Sequence, residues 1–228
     1  MCDRSRFNRT RRNLMAVIKA IRQKLFALMK PHARDILIID SFPLPVCQFG
    51  RAYFSKTFKF CGASYGYCPS KKMTYFGYKV HVLCTIDGTI VNFVVTSANI
   101  DDREVVWELI KDNKHHLFLI GDKGYISPQL AEELLNEKGV NLIYMKKRNA
   151  KNQYPKAFRR LIFKIRRRVE TSISQLTEQL NIERAKAKSL WGLIARLETK
   201  ILAFNTCLFV NQLLGKVEDV ARIKGLVF

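Results

Sequence analysis

Apolar residues recur along this chain with two different periods, and each period predicts one kind of element. Short apolar runs rich in β-branched residues predict buried strands, because they are too short for buried helices. An alternating stretch and a second β-branched run flank Asp87-Gly88, a dipeptide typical of a tight hairpin. The predicted strands lie at residues 36–39, 75–85, 89–96, 117–120 and 140–145.

Apolar spacings of three and four residues predict amphipathic helices between and after these strands. One of them covers residues 161–180, where a buried face includes Ile165, Val169 and Leu176. Asp101, Asp102 and Glu104 are interpreted as capping residues of another helix in preference to catalytic residues, since Asp101-x-x-Glu104 has the spacing of a capping box. The other helices are predicted at residues 14–28, 128–138 and 188–214, the first closed by Pro31.

The order of these elements is strand, hairpin, helix, strand, helix, strand, helix. It predicts an α/β fold with a mixed five-stranded sheet flanked by helices. We expect a catalytic domain at 35–185, preceded by a basic helical segment at 1–34 and followed by a helical extension at 186–228. The prolines Pro43 and Pro45 are expected to end the first strand, and residues 46–74 are expected to form an irregular insertion.

The charge of the chain predicts the kind of partner that it binds. The 228 residues contain 40 Lys and Arg against 19 Asp and Glu, a formal net charge of +21 that favours a polyanion such as nucleic acid or an anionic membrane surface. Residues 4–34 hold ten basic and no acidic residues, and residues 146–168 hold eleven and none. The N-terminal helix is open to two interpretations, a packing helix with a solvated face or a contact to the DNA backbone.

No membrane span or signal peptide is evident, so we expect a cytoplasmic protein. The six cysteines are scattered, and the nearest two, Cys61 and Cys68, are seven residues apart. Zinc sites favour closer pairs of ligands, so reduced thiols are expected.

Two apolar strands each end in an aspartate, at Asp40 and Asp122. If these strands are parallel neighbours, both carboxylates meet at the carboxyl ends of the sheet, where open α/β sheets place ligands. Glu170, at the edge of the buried face of the long helix, can reach the same place. The alternatives are ordinary ones: each aspartate can cap a turn, and Glu170 can pair with Arg166 or Arg167 on its own helix.

Three converging carboxylates repel one another and raise each other's pKa unless a cation lies between them. Carboxylate oxygens suit Mg²⁺ or Mn²⁺. Two such ions about 4 Å apart can hold the attacking and leaving oxygens of a phosphoryl transfer. The acidic trio and the large positive charge together favour catalysis on DNA.

The residues around these acids resemble the three signature blocks of bacterial insertion-sequence transposases of the DDE type. The blocks are Ile38–Pro43, Gly121–Tyr125 and Arg168–Leu176, and they are most similar to the insertion-sequence 982 family. The resemblance implies a ribonuclease H-like fold, two Mg²⁺ or Mn²⁺ ions held by Asp40, Asp122 and Glu170, and cutting and joining of DNA.

Double-stranded DNA, both transposon ends and target, is then the expected partner, held by a homodimer at the bacterial nucleoid. The expected phosphate contacts are Lys123, Lys146, Lys147, Arg148, Arg159, Arg160, Arg166, Arg167 and Arg168. Lys123 can equally be a solvated surface lysine.

Two departures from the resemblance concern DNA recognition. Arg166 fits the arginine found beside the glutamate in the insertion-sequence 4 group, but Phe163 and Thr177 stand where that group has Tyr and Lys. A DNA-binding region is expected upstream of Ser5–Asn8, so an internal start or truncated copy is expected here. The rival interpretations are a DNA-binding remnant without catalysis and a metal-dependent nuclease of the same fold.

Overall fold

The structure is a computed structural model that describes residues 3–29, 35–112, 117–147, 149–184, 186–216 and 222–226. Its strands are β1 (Ile36–Pro45), β2 (Ser64–Cys68), β3 (Met73–Thr85), β4 (Ile90–Ser97), β5 (Leu117–Gly121) and β6 (Val140–Tyr144). Its helices are α1 (Arg4–Asn13), α2 (Met15–Leu28), α3 (Lys56–Lys59), α4 (Val106–Leu109), α5 (Pro128–Lys138), α6 (Lys156–Glu178) and α7 (Leu190–Leu213). Short 3₁₀ turns lie at Phe49–Phe54, Asp102–Val105 and Lys123–Tyr125.

The described strands form one mixed sheet in the order β2-β3-β1-β5-β6, with β4 also paired to β3. The hairpin β3–β4 turns at Asp87-Gly88 as predicted, and Gly88 has a positive φ of 92°. Strands β1, β5 and β6 are parallel to one another, whereas β3 is antiparallel to β1, β2 and β4. The mixed α/β prediction is therefore confirmed.

The expectation that residues 46–74 are irregular is wrong, and these residues add a sixth strand to the five predicted ones. This segment contains β2, which pairs with the first part of β3, and also a 3₁₀ turn and α3. The sequence does not predict β2, because Tyr65 and Tyr67 on one face are separated by a glycine and not by a typical strand residue. Gly66 is required there, since a Cβ would come 2.7 Å from the Cβ of Ala98.

The first strand does not end at Asp40, and Pro43 and Pro45 do not interrupt it. The N–H of Val46 donates to the carbonyl of Phe76 on β3, so the backbone nitrogens of even-numbered residues face β3. The two prolines are odd-numbered, and their nitrogens face the opposite edge, where β5 pairs only with residues 36–38. Proline is tolerated where a strand needs no donor.

The sheet has a helix-covered core on each face. Even-numbered residues of β1 and β3, such as Ile38 and Val82, pack against α6 and α7. Odd-numbered residues, such as Leu37 and Leu83, pack against α4 and α5 on the other face. Because side chains alternate along a strand, this parity also decides which way Asp40 points.

The N-terminal segment is two helices rather than one. The side chain that α2 buries against the rest of the protein is charged. Arg22 is only 2% exposed and pairs with Glu198 of α7 at 3.3 Å. It also donates to the carbonyl of Val91 on β4 at 2.6 Å. The apolar residues of its helical pattern are largely on the surface, since Leu14, Val17, Ile21 and Leu28 are exposed. Pro31, expected to close the helix, lies outside the described residues.

Helix α7 joins the sheet through a buried amide. Asn205 accepts from the N–H of Ile90 and donates to its carbonyl, at 3.1 and 2.8 Å. This pair of bonds satisfies backbone groups of β4 that lie beside a helix instead of another strand. Within the part of the chain that the structure describes, no helix is long and apolar enough to cross a membrane.

Candidate active site

Asp40 and Asp122 are brought together by the register of two parallel strands. Ile38 of β1 lies beside Ile120 of β5, so the residues two positions further along, Asp40 and Asp122, lie at the same level. Ile38 belongs to the core beneath α6, and Asp40 has the same parity. The Asp40 carboxylate therefore points from the α6 side of the sheet, where its Oδ1 accepts from the N–H of Ser41 at 2.8 Å.

Asp122 lies in a turn whose shape explains its two glycines. Its Oδ1 accepts from the N–H of Gly124 at 2.6 Å, which fixes the carboxylate over the start of the 3₁₀ turn. A Cβ on Gly121 would lie 2.8 Å from the ring of Tyr125, which is fully buried. A Cβ on Gly124 would lie 2.9 Å from Asp122 Oδ1 and 3.0 Å from Asp102 Oδ2. The turn thus packs two carboxylates and one ring without space for further side chains.

Glu170 approaches the same place from α6. Its carboxylate lies 3.9 Å from the guanidinium of Arg166, one turn earlier, and its side chain is 58% exposed. The helix pair considered at the sequence level is therefore present. It does not remove Glu170 from the site, because both residues line the same cleft as the two aspartates.

This cleft has a volume of about 830 Å³ and lies between α6 and the turn joining β2 to β3. The residues that line it include Asp40, Ser41, Tyr67, Lys71, Lys79, Asp102, Asp122, Arg166 and Glu170. Lys71 and Glu183 join the two walls by an ion pair of 2.6 Å. The space is large enough for a segment of a polymer and not only for a small ion.

The electrostatics of Asp40 show that the acids interact. Burial is the largest cause that raises the pKa of Asp40, to about 7. The neighbouring carboxylates of Asp122 and Glu170 raise this pKa further. The Ser41 N–H and the charge of Arg166 act in the opposite direction. A carboxylate with this pKa is held in an environment that disfavours its charge, as expected where acids converge.

A divalent cation would fit the chemistry of this donor set. The three acids supply only oxygen ligands, which hard cations prefer, and a cation would relieve the repulsion felt by Asp40. Their present positions do not complete a coordination shell. Among the described residues, no three His, Cys, Asp or Glu side chains lie close enough together to hold a metal ion. Glu170 instead faces Arg166.

A fourth carboxylate in the cleft, Asp102, was missed as a site residue at the sequence level, where it was interpreted as a cap. Asp101, not Asp102, caps the turn, accepting from the N–H of Arg103 at 2.9 Å. The Asp102 Oδ1 accepts from the Nζ of Lys79 at 3.1 Å and from the Ser41 hydroxyl at 3.2 Å. The adjacent Asp-Asp pair was the available signal, because one cap needs only one carboxylate.

His81 lies beside this fourth carboxylate and is fully buried. Its Nδ1 is 3.5 Å from Asp102 Oδ1, and its Nε2 lies 2.9 Å from the Thr96 hydroxyl. Burial lowers the pKa of His81 to about 4, with a further lowering by Lys79 and an opposing effect of Asp102. The imidazole is therefore neutral at physiological pH.

The residues predicted to contact DNA occupy different environments. Lys123, Lys147, Arg159, Arg160, Arg167 and Arg168 are exposed. Arg166 is largely buried, with a side chain 14% exposed, and belongs to the cleft. Lys146 donates to the carbonyl of Asn152 at 2.8 Å and lies 4.3 Å from the ring centre of Tyr154. Arg148 lies outside the described residues.

Comparisons with known proteins identify the family. No curated protein matches the chain in sequence. One solved structure, a cryo-EM structure of piggyBac transposase in a synaptic complex with hairpin DNA, is similar with 14% identity and a TM-score of 0.45. The match covers 77% of this chain and 48% of that transposase chain, so this chain spans about half of its length. The family model described as the transposase DDE domain matches residues 30–190, which include Asp40, Asp122 and Glu170. Since that match covers well over half of the 228 residues, the chain belongs to the transposase DDE domain family.

Proposed function

We propose that this chain is a DNA transposase that hydrolyses phosphodiester bonds at transposon ends and joins the freed ends to target DNA. The observation that carries the proposal is the convergence of Asp40, Asp122 and Glu170 on one cleft of a DDE-domain protein. We further propose that the sheet is of the ribonuclease H type and that the chain belongs to the insertion-sequence 982 group. Residues 35–185 would then be the catalytic unit.

Asp40, Asp122 and Glu170 would hold two Mg²⁺ or Mn²⁺ ions. When bound, such ions supply activation of the attacking oxygen and neutralisation of the charge that develops on the phosphate. The protein fixes Asp40 through the Ser41 N–H and Asp122 through the Gly124 N–H. Arg166 holds Glu170 at the cleft wall and adds a positive charge where a phosphate would enter.

The exposed arginines of α6 give the DNA backbone a place to bind. Arg159, Arg160, Arg167 and Arg168 are exposed on the helix that carries Glu170. Contacts from such residues to phosphates position DNA without reading its sequence. We propose a homodimer on DNA because a transposon has two ends to bring together, and we place the protein at the nucleoid because its substrate is there.

The deciding experiment is nicking and strand transfer on a labelled duplex that carries a transposon end, with Mg²⁺ or Mn²⁺. Wild type is compared with Asp122→Ala and with Asp112→Ala, an exposed aspartate that does not line the cleft. We expect metal-dependent products with wild type and Asp112→Ala and none with Asp122→Ala. Joined products distinguish a transposase from a nuclease that only cuts.

The rival of a DNA-binding remnant predicts a different result. It would yield no products with any of these proteins, while all of them would bind DNA in a salt-sensitive way. Cleavage that persists in Asp122→Ala would contradict the site itself.

A salt titration tests the basic surface separately from the chemistry. Each phosphate contact contributes about 0.9 to the slope of log affinity against log salt. The double variant Arg159→Gln/Arg160→Gln is expected to lower that slope by about 2. Lys111→Gln is the control, because this exposed lysine is paired with Glu108 and is not among the expected phosphate contacts.

A further inference from the structure

Three aromatic rings form a row on the surface beside the cleft. Tyr65 and Tyr67 occupy alternate positions of β2 and are 50% and 60% exposed. The ring of Phe49 lies edge-on to Tyr65, with 5.8 Å between the ring centres, and is 55% exposed. We refer to Phe49, Tyr65 and Tyr67 as the aromatic row.

The core does not account for this row. Aromatic residues of the same region that the core requires, Phe58 and Phe76, are 4% exposed and lie in the main hydrophobic cluster. Tyr65 touches Phe76 with one side of its ring, at 5.1 Å between centres, and leaves the rest in solvent. Exposed apolar groups that are contiguous, unlike single ones, usually mark a binding surface.

The row leads into the cleft that holds the acids. Tyr65 is paired with Phe76, and Asp40 is paired with Val82 on the same strand. Phe76 and Val82 belong to the same core face, so Tyr65, Tyr67 and Asp40 project from the same side of the sheet. Tyr67 itself lines the cleft together with Asp40.

The charge around the row suits a polyanion. Residues 46–74 contain five Lys and Arg and no Asp or Glu. Arg51, Lys56, Lys59 and Lys72 are exposed. Lys71 forms an ion pair with Glu183, so its charge is already compensated within the protein.

Aromatic rings flanked by cations match one form of nucleic acid better than others. Bases of a single strand can stack on such rings, whereas the faces of bases in a duplex are covered by their neighbours. Alternate residues of a strand are about 6.6 Å apart, close to twice the spacing of stacked bases. The spacing allows neighbouring rings to contact separate bases of an opened strand.

We propose that the aromatic row binds unpaired bases of the DNA strand that adjoins the phosphate in the cleft. The identity of that phosphate rests on the proposed transposase function, but the stacking itself does not require cleavage. The preferred substrate is then a transposon end whose strands are locally separated next to the cutting site.

The test is a binding titration of the full chain in EDTA, which prevents cleavage. The two probes are a forked DNA with 2-aminopurine in its unpaired arm and a fully paired duplex of the same sequence. We expect Tyr65→Ala and Tyr67→Ala each to weaken binding of the forked DNA by about 5- to 100-fold, with little effect on the duplex. Tyr67→Phe keeps the ring and should bind as wild type does.

Trp191→Ala is the matched control. Trp191 is 53% exposed on α7 and does not line the cleft, so its removal should leave both probes unchanged. The second measurement uses wild type alone: stacking quenches 2-aminopurine, so its emission should fall when the forked DNA binds. Undiminished emission would overturn the proposal even if a tyrosine variant did not fold.

Other outcomes are equally informative. Equal weakening of both probes by the tyrosine variants, or no weakening at all, would overturn the proposal. Tighter binding of a matched RNA arm would overturn the assignment to DNA. A further possible result is that the tyrosine variants lose the preference for forked DNA but wild type never cleaves DNA. That result would support the stacking proposal and refute the proposed transposase function.

Discussion

Asp40 and Asp122 lie at the same level of two adjacent parallel strands, each two residues beyond the paired residues Ile38 and Ile120. Asp40 is partly buried and its pKa is raised to about 7, first by burial and then by Asp122 and Glu170. Without a bound cation, the ionised carboxylates therefore lower the stability of the folded chain. Such a conflict is common where function rather than stability selects the residues.

The first prediction concerns the loss of folding stability caused by the buried charge of Asp40. Asp40→Asn removes the charge while keeping the shape, so at pH 8 in EDTA we expect the free energy of unfolding to rise by about 1–3 kcal/mol. Mg²⁺ should stabilise wild type, by about 2.7 kcal/mol at one hundred times its dissociation constant, and should have little effect on the variant. Urea denaturation with and without Mg²⁺ measures both effects. A variant less stable than wild type in EDTA would contradict the prediction.

A second prediction uses the glycine between two carboxylates. Gly124→Ala places a Cβ about 3 Å from the carboxylate oxygens of Asp122 and Asp102, which must move. We expect metal-dependent cleavage to fall at least about tenfold, because small displacements of positioned groups are costly in catalysis. The free energy of unfolding should change by under about 1 kcal/mol, since only side-chain ends shift.

Gly50→Ala is the control for that experiment, because nothing lies within 4 Å of its added Cβ. It should retain full activity. Full activity in Gly124→Ala as well would show that the placement of these carboxylates is not critical.

A third prediction concerns the buried ion pair between α2 and α7. Arg22→Met leaves Glu198 buried with no cation, so we expect a loss of about 3–5 kcal/mol in the free energy of unfolding. The double variant Arg22→Met/Glu198→Leu should recover most of that loss, because an apolar pair needs no compensation. Lys19→Met, at an exposed position of the same helix, should change stability little. Similar losses in the single and double variants would refute this account.

A fourth prediction follows from His81. Its folded pKa of about 4 lies below the unfolded value of 6.5, so the unfolded chain binds the proton first as the pH falls. The contribution of the neutral imidazole is complete above pH 6.5 and is lost progressively towards pH 4, by about 1–3 kcal/mol. His81→Asn should remove this component of the pH dependence in urea denaturation. Parallel stability curves for wild type and variant between pH 4 and 7 would contradict the assignment.

The sequence predicts those features of the fold and of the candidate site that depend on local patterns of apolar residues. The positions of Asp40 and Asp122 follow from two short apolar runs, and the bounds of α5 follow from Pro128 at its start and Gly139 after its end. These features depend on neighbours along the chain, which a sequence displays directly. The family match to residues 30–190 agrees with the interpretation drawn from them.

Features that depend on distant partners were not predicted. Asp102 looks like a helix cap, and only the fold reveals Ser41 and Lys79 at its carboxylate. The burial of Arg22 on α2 was not predicted for a similar reason, since a buried arginine is expected only when its partner is known. Glu198, that partner, lies 176 positions away.

The same long separation has a consequence for how the chain assembles during synthesis. Helices α1 and α2 leave the ribosome early, but the acidic side chain that neutralises Arg22 is made 176 residues later. Until α7 emerges, Arg22 lacks the carboxylate that pairs with it in the folded chain, and α2 also carries exposed apolar residues. Docking of α7, the last long helix, is therefore the step that joins this exposed and highly charged nascent segment to the folded protein.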